Sequence, residues 1–199
     1  MSKHHRNRNW APAPQPLPED AHVIDNHTHV ASVVPFSQAM SHEAMEKGQG
    51  EVPVYSVDEL LEQAQKVGVE GVIDCGCELP NLMTAIDMAR EHPGTVHAAI
   101  AIHPNEAVLH GHRGAPGPDG LPIKYKPWHD IPFDEAMAEV HRLATTYPNQ
   151  VVAIGETGMD LFRTGESAKE LQREAFRAHV ALAKELNLPM QIHDRDSHK

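Results

Sequence analysis

At 199 residues the chain is long enough for one domain with a substantial core. Lys and Arg number 17 against 28 Asp and Glu, a formal charge of −11, which excludes a broad phosphate-gripping surface unless something local, such as a bound metal, reverses the sign. No apolar run is long enough to span a bilayer and none reads as a signal peptide, so no membrane partner and a cytoplasmic location are expected.

The first twenty residues, MSKHHRNRNWAPAPQPLPED, are polar and then proline-rich, and read as a flexible arm (1–20) ahead of a folded part (21–199). HVIDN reads as the first strand. Residues 31–55, with KGQGEVP inside, read as a connection. SVDELLEQAQKVG predicts a helix: Val57, Leu60, Leu61, Ala64 and Val67 recur at helical spacing, Ser56 and Glu59 make a capping box, and Gly68 suits the stop. VEGVIDCG is a short apolar strand. Its cysteines, Cys75 and Cys77, sit too close for an easy disulfide and read as reduced, buried thiols. NLMTAIDMAREH reads as a helix with Leu82, Ile86 and Ala89 on one face, and VHAAIAIH as a strand ending at His103. Residues 104–132, with HGHRGAPGPDGLPIKYKP inside, read as a long loop of the kind used for lids and binding. Its His110, His112 and His129 read as solvated. DEAMAEVHRLATTY reads as a helix, QVVAIGE as a strand. SAKELQREAFRAHVALAKELN reads as a long helix capped by Ser167 and Glu170, with an inner stripe of Leu171, Ala175, Ala178, Leu182 and Leu186. PMQIHD reads as a fifth strand.

Strand and helix alternate five times, which calls for a parallel sheet covered by helices. The strands are apolar almost throughout, as where both faces are buried. Two α/β architectures fit: a doubly wound open sheet, or a (β/α)8 TIM-type barrel of which the first five β/α units are present. No Gly-rich phosphate loop follows the first strand, which weakens a dinucleotide-binding reading.

Chemistry collects at the strand ends. The first ends at His27 and His29, the third at His103, the fourth at Glu156 and the fifth at His193. In a parallel barrel such ends converge on one mouth. Alternate residues of a strand face one side, so His27 and His29 can reach one ion. Imidazole with carboxylate suits zinc, manganese, iron or nickel. A buried Glu156 without a partner would cost several kcal/mol, and its two oxygens make it the candidate bridge between two cations.

IDNHTH, AIHPNE, AIGETGMDLF, the Gln and Phe of LQREAF, and LNLPMQIHDRD together resemble the TatD-related metal-dependent hydrolases, in the same order along the chain. The resemblance runs from about Val23 to Asp196. It implies a (β/α)8 barrel of the amidohydrolase superfamily and a metal-dependent deoxyribonuclease. It implies divalent ions, two of them, with Mg, Mn or Zn as candidates. His27 and His29 match first-strand ligands, Glu156 the ligand shared by two metals, and His193 the fifth-strand ligand of the second metal. His103 with Pro104 matches a motif at the mouth of the site. Asp160 matches the acidic position after the bridging Glu, Arg195 a family arginine within reach of a phosphate, and Asp25 a support for the strand end. Arg163 could also meet a phosphate.

The family continues through three more strands, which carry a further histidine and a late aspartate. That aspartate ligates the first metal and takes the proton from the attacking water. Neither has a counterpart before Lys199. The chain therefore reads as the N-terminal portion of such a barrel, with the catalytic base unassigned and open edges that invite association. Three readings follow. The first is a deoxyribonuclease cleaving phosphodiester bonds at DNA ends by a dimetal-activated water. The second is a hydrolase of small amides, lactones or phosphate esters on the same scaffold. The third is a fragment that binds metal or a partner chain without turnover.

Overall fold

The computed structural model describes residues 16–18, 20–48, 53–113 and 124–198. Residues 1–15 and 19 of the expected arm, and the central parts of KGQGEVP and of the 104–132 segment, lie outside the described residues. In order, the elements are β1 (Val23–Thr28), α1 (Val30–Glu46), α2 (Val57–Lys66), β2 (Val69–Gly76), α3 (Leu79–Glu91), β3 (Val96–Ile100), α4 (Pro104–Ala107), α5 (Phe133–Thr146), β4 (Val151–Asp160), α6 (Lys169–Leu186) and β5 (Met190–Arg195).

The sheet runs in the order β1-β2-β3-β4-β5, and the β2–β3, β3–β4 and β4–β5 pairs are parallel. A doubly wound sheet reverses direction at a switch point, whereas sequential order is the winding of a (β/α) barrel. Strand order thus decides between the two architectures that periodicity left open.

The chain forms two compact units. One comprises residues up to Ile24 with Val30–Gly71, and the other Asp25–His29 with residues from Val72 onward. In the first, Ser56 caps α2 as expected: its hydroxyl accepts from Glu59 N at 3.2 Å while the Glu59 carboxylate accepts from Ser56 N at 2.7 Å. The connection expected over 31–55 is instead helical through Glu46. Its less exposed positions, Val30, Ala31, Val33, Val34, Ser37, Met40, Ser41 and Ala44, recur for the most part at helical spacing. Ser, Met and Ala give that face a weak apolar signal, and Pro35 falls inside the helix where a breaker is usually read.

The second unit holds the larger core. Leu82, Ala85, Ile86 and Ala89 form the inner face of α3, Val140 and Leu143 that of α5, and all are buried with Val96, Ile100, Val151 and Ile154 of the central strands. Cys75, Ala99 and Ala153 are register partners on β2, β3 and β4 and pack as one layer. Both cysteines are free, Cys75 buried and Cys77 half-buried. Burial is confined to the centre of the sheet. β1 and β5 are largely exposed, with Ile192 open, so the expectation of strands buried on both faces holds only for β2–β4.

Three local expectations change. β3 stops at Ile100, and His103 becomes the N-cap of α4, its Nδ1 accepting from Asn105 N at 3.2 Å. The 104–132 segment is structured where described. It contains α4 and 3-10 turns at His110–His112 and Pro127–Asp130, and His110 and His129 are fully buried rather than solvated. His129 bridges Lys126 N and the Glu106 carboxylate, and His110 meets Ile131 O, so each ring supplies hydrogen bonds inside the fold. Finally, a 3-10 turn at Glu166–Ala168 precedes α6, whose N-cap is Ala168, so Ser167 and Glu170 form no cap. The buried stripe of α6 is Gln172, Ala175, His179, Leu182 and Ala183. The two polar members are satisfied. His179 Nε2 accepts from Ile102 N at 3.0 Å and its Nδ1 faces Ala175 O at 2.7 Å.

Candidate metal centre

The side chains that converge all belong to the second unit. β1 delivers His27 near its end and His29 just beyond it, β4 delivers Glu156 and Asp160, β5 delivers His193, and the turn after β3 delivers His103. Strands of one sheet bring residues more than a hundred positions apart to the same end of it.

Glu156 is 7% exposed and stands at the middle. Its Oε2 lies 3.4 Å from His27 Nε2 and 3.6 Å from His29 Nε2. Its Oε1 lies 2.5 Å from His193 Nδ1 and 3.9 Å from His103 Nε2. One carboxylate therefore divides its oxygens between two sets of imidazoles. Burial alone would raise the Glu156 pKa. The hydrogen bonds from His29 and His193 outweigh it and hold the carboxyl well below the usual range, so Glu156 is ionised. The reciprocal effect, led by the bond to Glu156, raises the pKa of His29.

Supporting contacts orient the rings. His29 Nδ1 faces Cys75 O at 3.3 Å, so that nitrogen keeps its proton, and a cation would take the place of the hydrogen that Nε2 gives to Glu156. His193 Nε2 lies 3.1 Å from Asp160 Oδ2 and keeps its proton there in the same way, so a cation would replace the hydrogen that Nδ1 gives to Glu156. His103 is the opposite case. Its Nδ1 accepts from Asn105 N, so in the neutral ring Nε2 carries the hydrogen and acts as a donor. Burial pushes its pKa down to about 4, so the ring is neutral near pH 7. Asp25 accepts from His27 N at 3.2 Å and braces that turn of β1, from an exposed rather than a deep position.

Asp160 is 1% exposed and has no idle oxygen. Oδ1 accepts from Phe162 N at 3.0 Å and Arg163 N at 2.8 Å, and Oδ2 accepts from Asn105 Nδ2 at 2.9 Å beside His193. Burial raises its pKa, but these bonds, led by the Arg163 amide, leave it below the usual value. Gln172 secures the same residue from α6: its Oε1 accepts from Asp160 N at 2.9 Å and its Nε2 donates to Asp160 O at 3.0 Å. Gly158 lets β5 approach. It has φ +143°, and a Cβ there would stand 2.1 Å from His193 O.

The donor set fits divalent cations. His27, His29 and Glu156 form one group and His103, Glu156 and His193 a second, each with its candidate atoms within 4.8 Å of one another. Tetrahedral bonds of about 2.1 Å separate neighbouring donors by about 3.4 Å, which the first group matches. In the second group His193 Nδ1 and Glu156 Oε1 stand 2.5 Å apart and would have to separate by about 1 Å to admit an ion, and His103 presents a hydrogen rather than a lone pair. Arg195 is in neither group, and its guanidinium lies 3.9 Å from the Phe162 ring centroid.

Sequence reasoning missed Asn105, Phe162 and Cys77 and gave Gln172 no role. Asn105 joins Asp160 to Thr164, whose hydroxyl donates to its Oδ1 at 2.7 Å, and Cys77 Sγ sits 3.7 Å from Glu156 Oε2. Asn105, Phe162 and Gln172 stand inside the quoted motifs AIHPNE, AIGETGMDLF and LQREAF, but the motifs carried no role for them; for the place of Cys77 beside Glu156 there was no signal.

A family model described as "TatD related DNase" matches residues 24–199. An uncharacterized metal-dependent hydrolase, YabD of Bacillus subtilis, is 33% identical over 141 residues, covering 71% of this chain and 45% of that protein. The 3'-5' ssDNA/RNA exonuclease TatD of Erwinia tasmaniensis is 32% identical over 142 residues, again 71% of this chain and 45% of that protein. The chain thus spans about half the length of the curated relatives it matches. Among solved structures, the TatD homolog YjjV of Escherichia coli superposes with a TM-score of 0.58 at 24% identity, covering 88% of this chain and 52% of that one. A TatD family hydrolase of Entamoeba histolytica gives 0.60 at 21% identity, with 88% and 50% covered. These neighbours show the fold: the five strands correspond to part of a TIM-type barrel.

Proposed function

The chain belongs to the TatD related DNase family, and from that membership we propose that it carries the metal centre of a hydrolase that cleaves phosphodiester bonds at the ends of single-stranded nucleic acid, DNA above all. The observation that carries this reading is the division of Glu156 between His27 and His29 on one oxygen and His193 on the other. A shared carboxylate with imidazoles on both sides is the arrangement that holds two cations side by side. Relatives named as 3'-5' ssDNA/RNA exonucleases support the substrate class, and the −11 charge speaks against a wide duplex-binding face.

His27, His29, Glu156 and His193 would be the ligands. Divalent ions held there would polarise a phosphoryl oxygen and make a water more acidic. Asp160 keeps the His193 tautomer suited to that task. His103 offers a neutral Nε2–H that can donate to a phosphate oxygen. Asp160 is committed to four donors, so it is not a free general base, and no base is assigned. A hydrolase of small amides, lactones or phosphate esters could use the same donors, and a panel of chromogenic esters separates that outcome.

The test loads the protein with Mg, Mn or Zn, locates the ions by anomalous scattering, and offers labelled single-stranded oligonucleotides. Ions on both sides of Glu156 and stepwise shortening from one end are expected, both lost in Glu156→Gln. No ion at Glu156, or no cleavage with any metal, would refute the reading.

A further inference from the structure

The turn that follows β4 carries chemistry that the metal centre does not use. Phe162 is 47% exposed. The guanidinium carbons of Arg195 and Arg163 lie 3.9 Å and 5.3 Å from its ring centroid. Among the described residues the arginines that pair with carboxylates are Arg90, Arg113, Arg142 and Arg173. Arg163 and Arg195 have no such partner among the described residues, in a chain whose formal charge is −11.

The group is held in place. Phe162 N and Arg163 N both donate to Asp160 Oδ1, and Leu161 N donates to Arg195 O at 2.9 Å. The other oxygen of Asp160 meets His193. One carboxylate therefore links the exposed ring to the candidate metal centre. An aromatic face fixed by its backbone loses little freedom when a ligand stacks on it.

We propose that Phe162, Arg163 and Arg195 form a platform for single-stranded nucleic acid, with a nucleobase stacked on Phe162 and the adjoining phosphates held by the two guanidiniums. The inference rests on the nucleic-acid reading above and deepens it. Both guanidiniums lie over the ring, Arg195 closest, so a base stacks on the part of Phe162 left exposed while the cations meet its phosphates, and stacking tolerates any base because every base has a π-face. A duplex hides its base faces in the stack, so the platform selects unpaired ends. In an acidic protein local cations must supply the attraction that a basic surface supplies elsewhere.

The test measures binding of a fluorescent oligothymidylate by anisotropy in EDTA, where metal-dependent cleavage cannot intrude. Phe162→Leu keeps apolar bulk but removes the π-face, and is expected to weaken binding about 5- to 100-fold, the range of one base–aromatic stack. Phe162→Tyr should bind as the parent does. An abasic strand of equal length should bind the parent as weakly as oligothymidylate binds Phe162→Leu. Arg195→Ala should lower the slope of log affinity against log salt by about 0.7, one phosphate contact on a single strand. Matched circular-dichroism melts confirm that the variants fold. Parent-like binding by Phe162→Leu, or equal affinity of the parent for abasic and base-bearing strands, would overturn the platform. Absence of cleavage with any metal bears only on the hydrolase reading, because the platform is read without it.

Discussion

Asp160→Asn isolates the coupling between the buried carboxylate and the candidate metal centre. In the parent, four donors point at two oxygens: Phe162 N, Arg163 N, Asn105 Nδ2 and His193 Nε2. In the variant the amide oxygen can keep the two backbone donors, but its NH2 then faces Asn105 Nδ2 and the His193 Nε2 hydrogen. A neutral His193 ring then keeps its one proton on Nδ1, the nitrogen that faces Glu156. The site then loses a lone pair where a cation would bind. Charge-assisted hydrogen bonds are about twice as strong as neutral ones, so their weakening, less the relief of no longer burying a charge, should cost about 2–4 kcal/mol. Metal affinity should fall about 10- to 100-fold, as when the partner of a ligating histidine is removed. Urea unfolding and calorimetric metal titration measure the two effects separately. The pH dependence has a definite sign. The Asp160 carboxyl lies below its ordinary value of 3.8 when folded, so its stabilisation is complete above 3.8 and lost as pH falls through the folded value. The gap between parent and variant should be flat from pH 7 to about 4 and close only below that. Unchanged metal affinity in a folded Asp160→Asn would refute the orienting role, and unchanged stability would refute the hydrogen-bond account.

Other outcomes are expected from the core and the helix ends. Leu82 is fully buried on the inner face of α3, and Leu82→Ala should cost about 2–5 kcal/mol in denaturant unfolding. Ser56→Ala removes the hydroxyl that accepts from Glu59 N, should cost about 1 kcal/mol, and should speed amide exchange in the first turn of α2. Burial pushes His179 from 6.5 down to about 4. Between those values the unfolded chain binds a proton that the folded one excludes, so stability should fall as pH drops from 6.5 toward 4. His179→Gln should flatten that slope, and an unchanged slope would show that His179 is protonated when folded.

The elements legible in the sequence were those written in local chemistry. The α2 capping box, the β2 apolar run and the faces of α3 and α5 each depend on neighbours a few residues away, so periodicity and propensity suffice to place them. The convergence of His27, His29, Glu156 and His193 was legible too, because strands that end in imidazole or carboxylate and run parallel deliver those groups to one end. Where burial depends on a distant partner, the local pattern misled. α1 buries only Ser37 and Ala44 and has a proline inside it, so its face has little hydrophobic contrast. His129, Gln172 and His179 are polar by composition, and each is buried with its hydrogen bonds met by a segment remote in sequence or by its own helix, while His110 is buried on the single bond of its Nδ1 to Ile131 O.

By itself, then, the order of residues determined the alternation of strands and helices and the chemical types of the candidate ligands, since both are properties of short windows. Only the tertiary structure decided the sequential winding of the sheet and which oxygen of Glu156 each imidazole meets. It also assigned the hydrogen of His103 to Nε2 and bound Asp160 to four donors. Hydrogen bonds have direction and reach of about 3 Å, and a linear sequence carries neither.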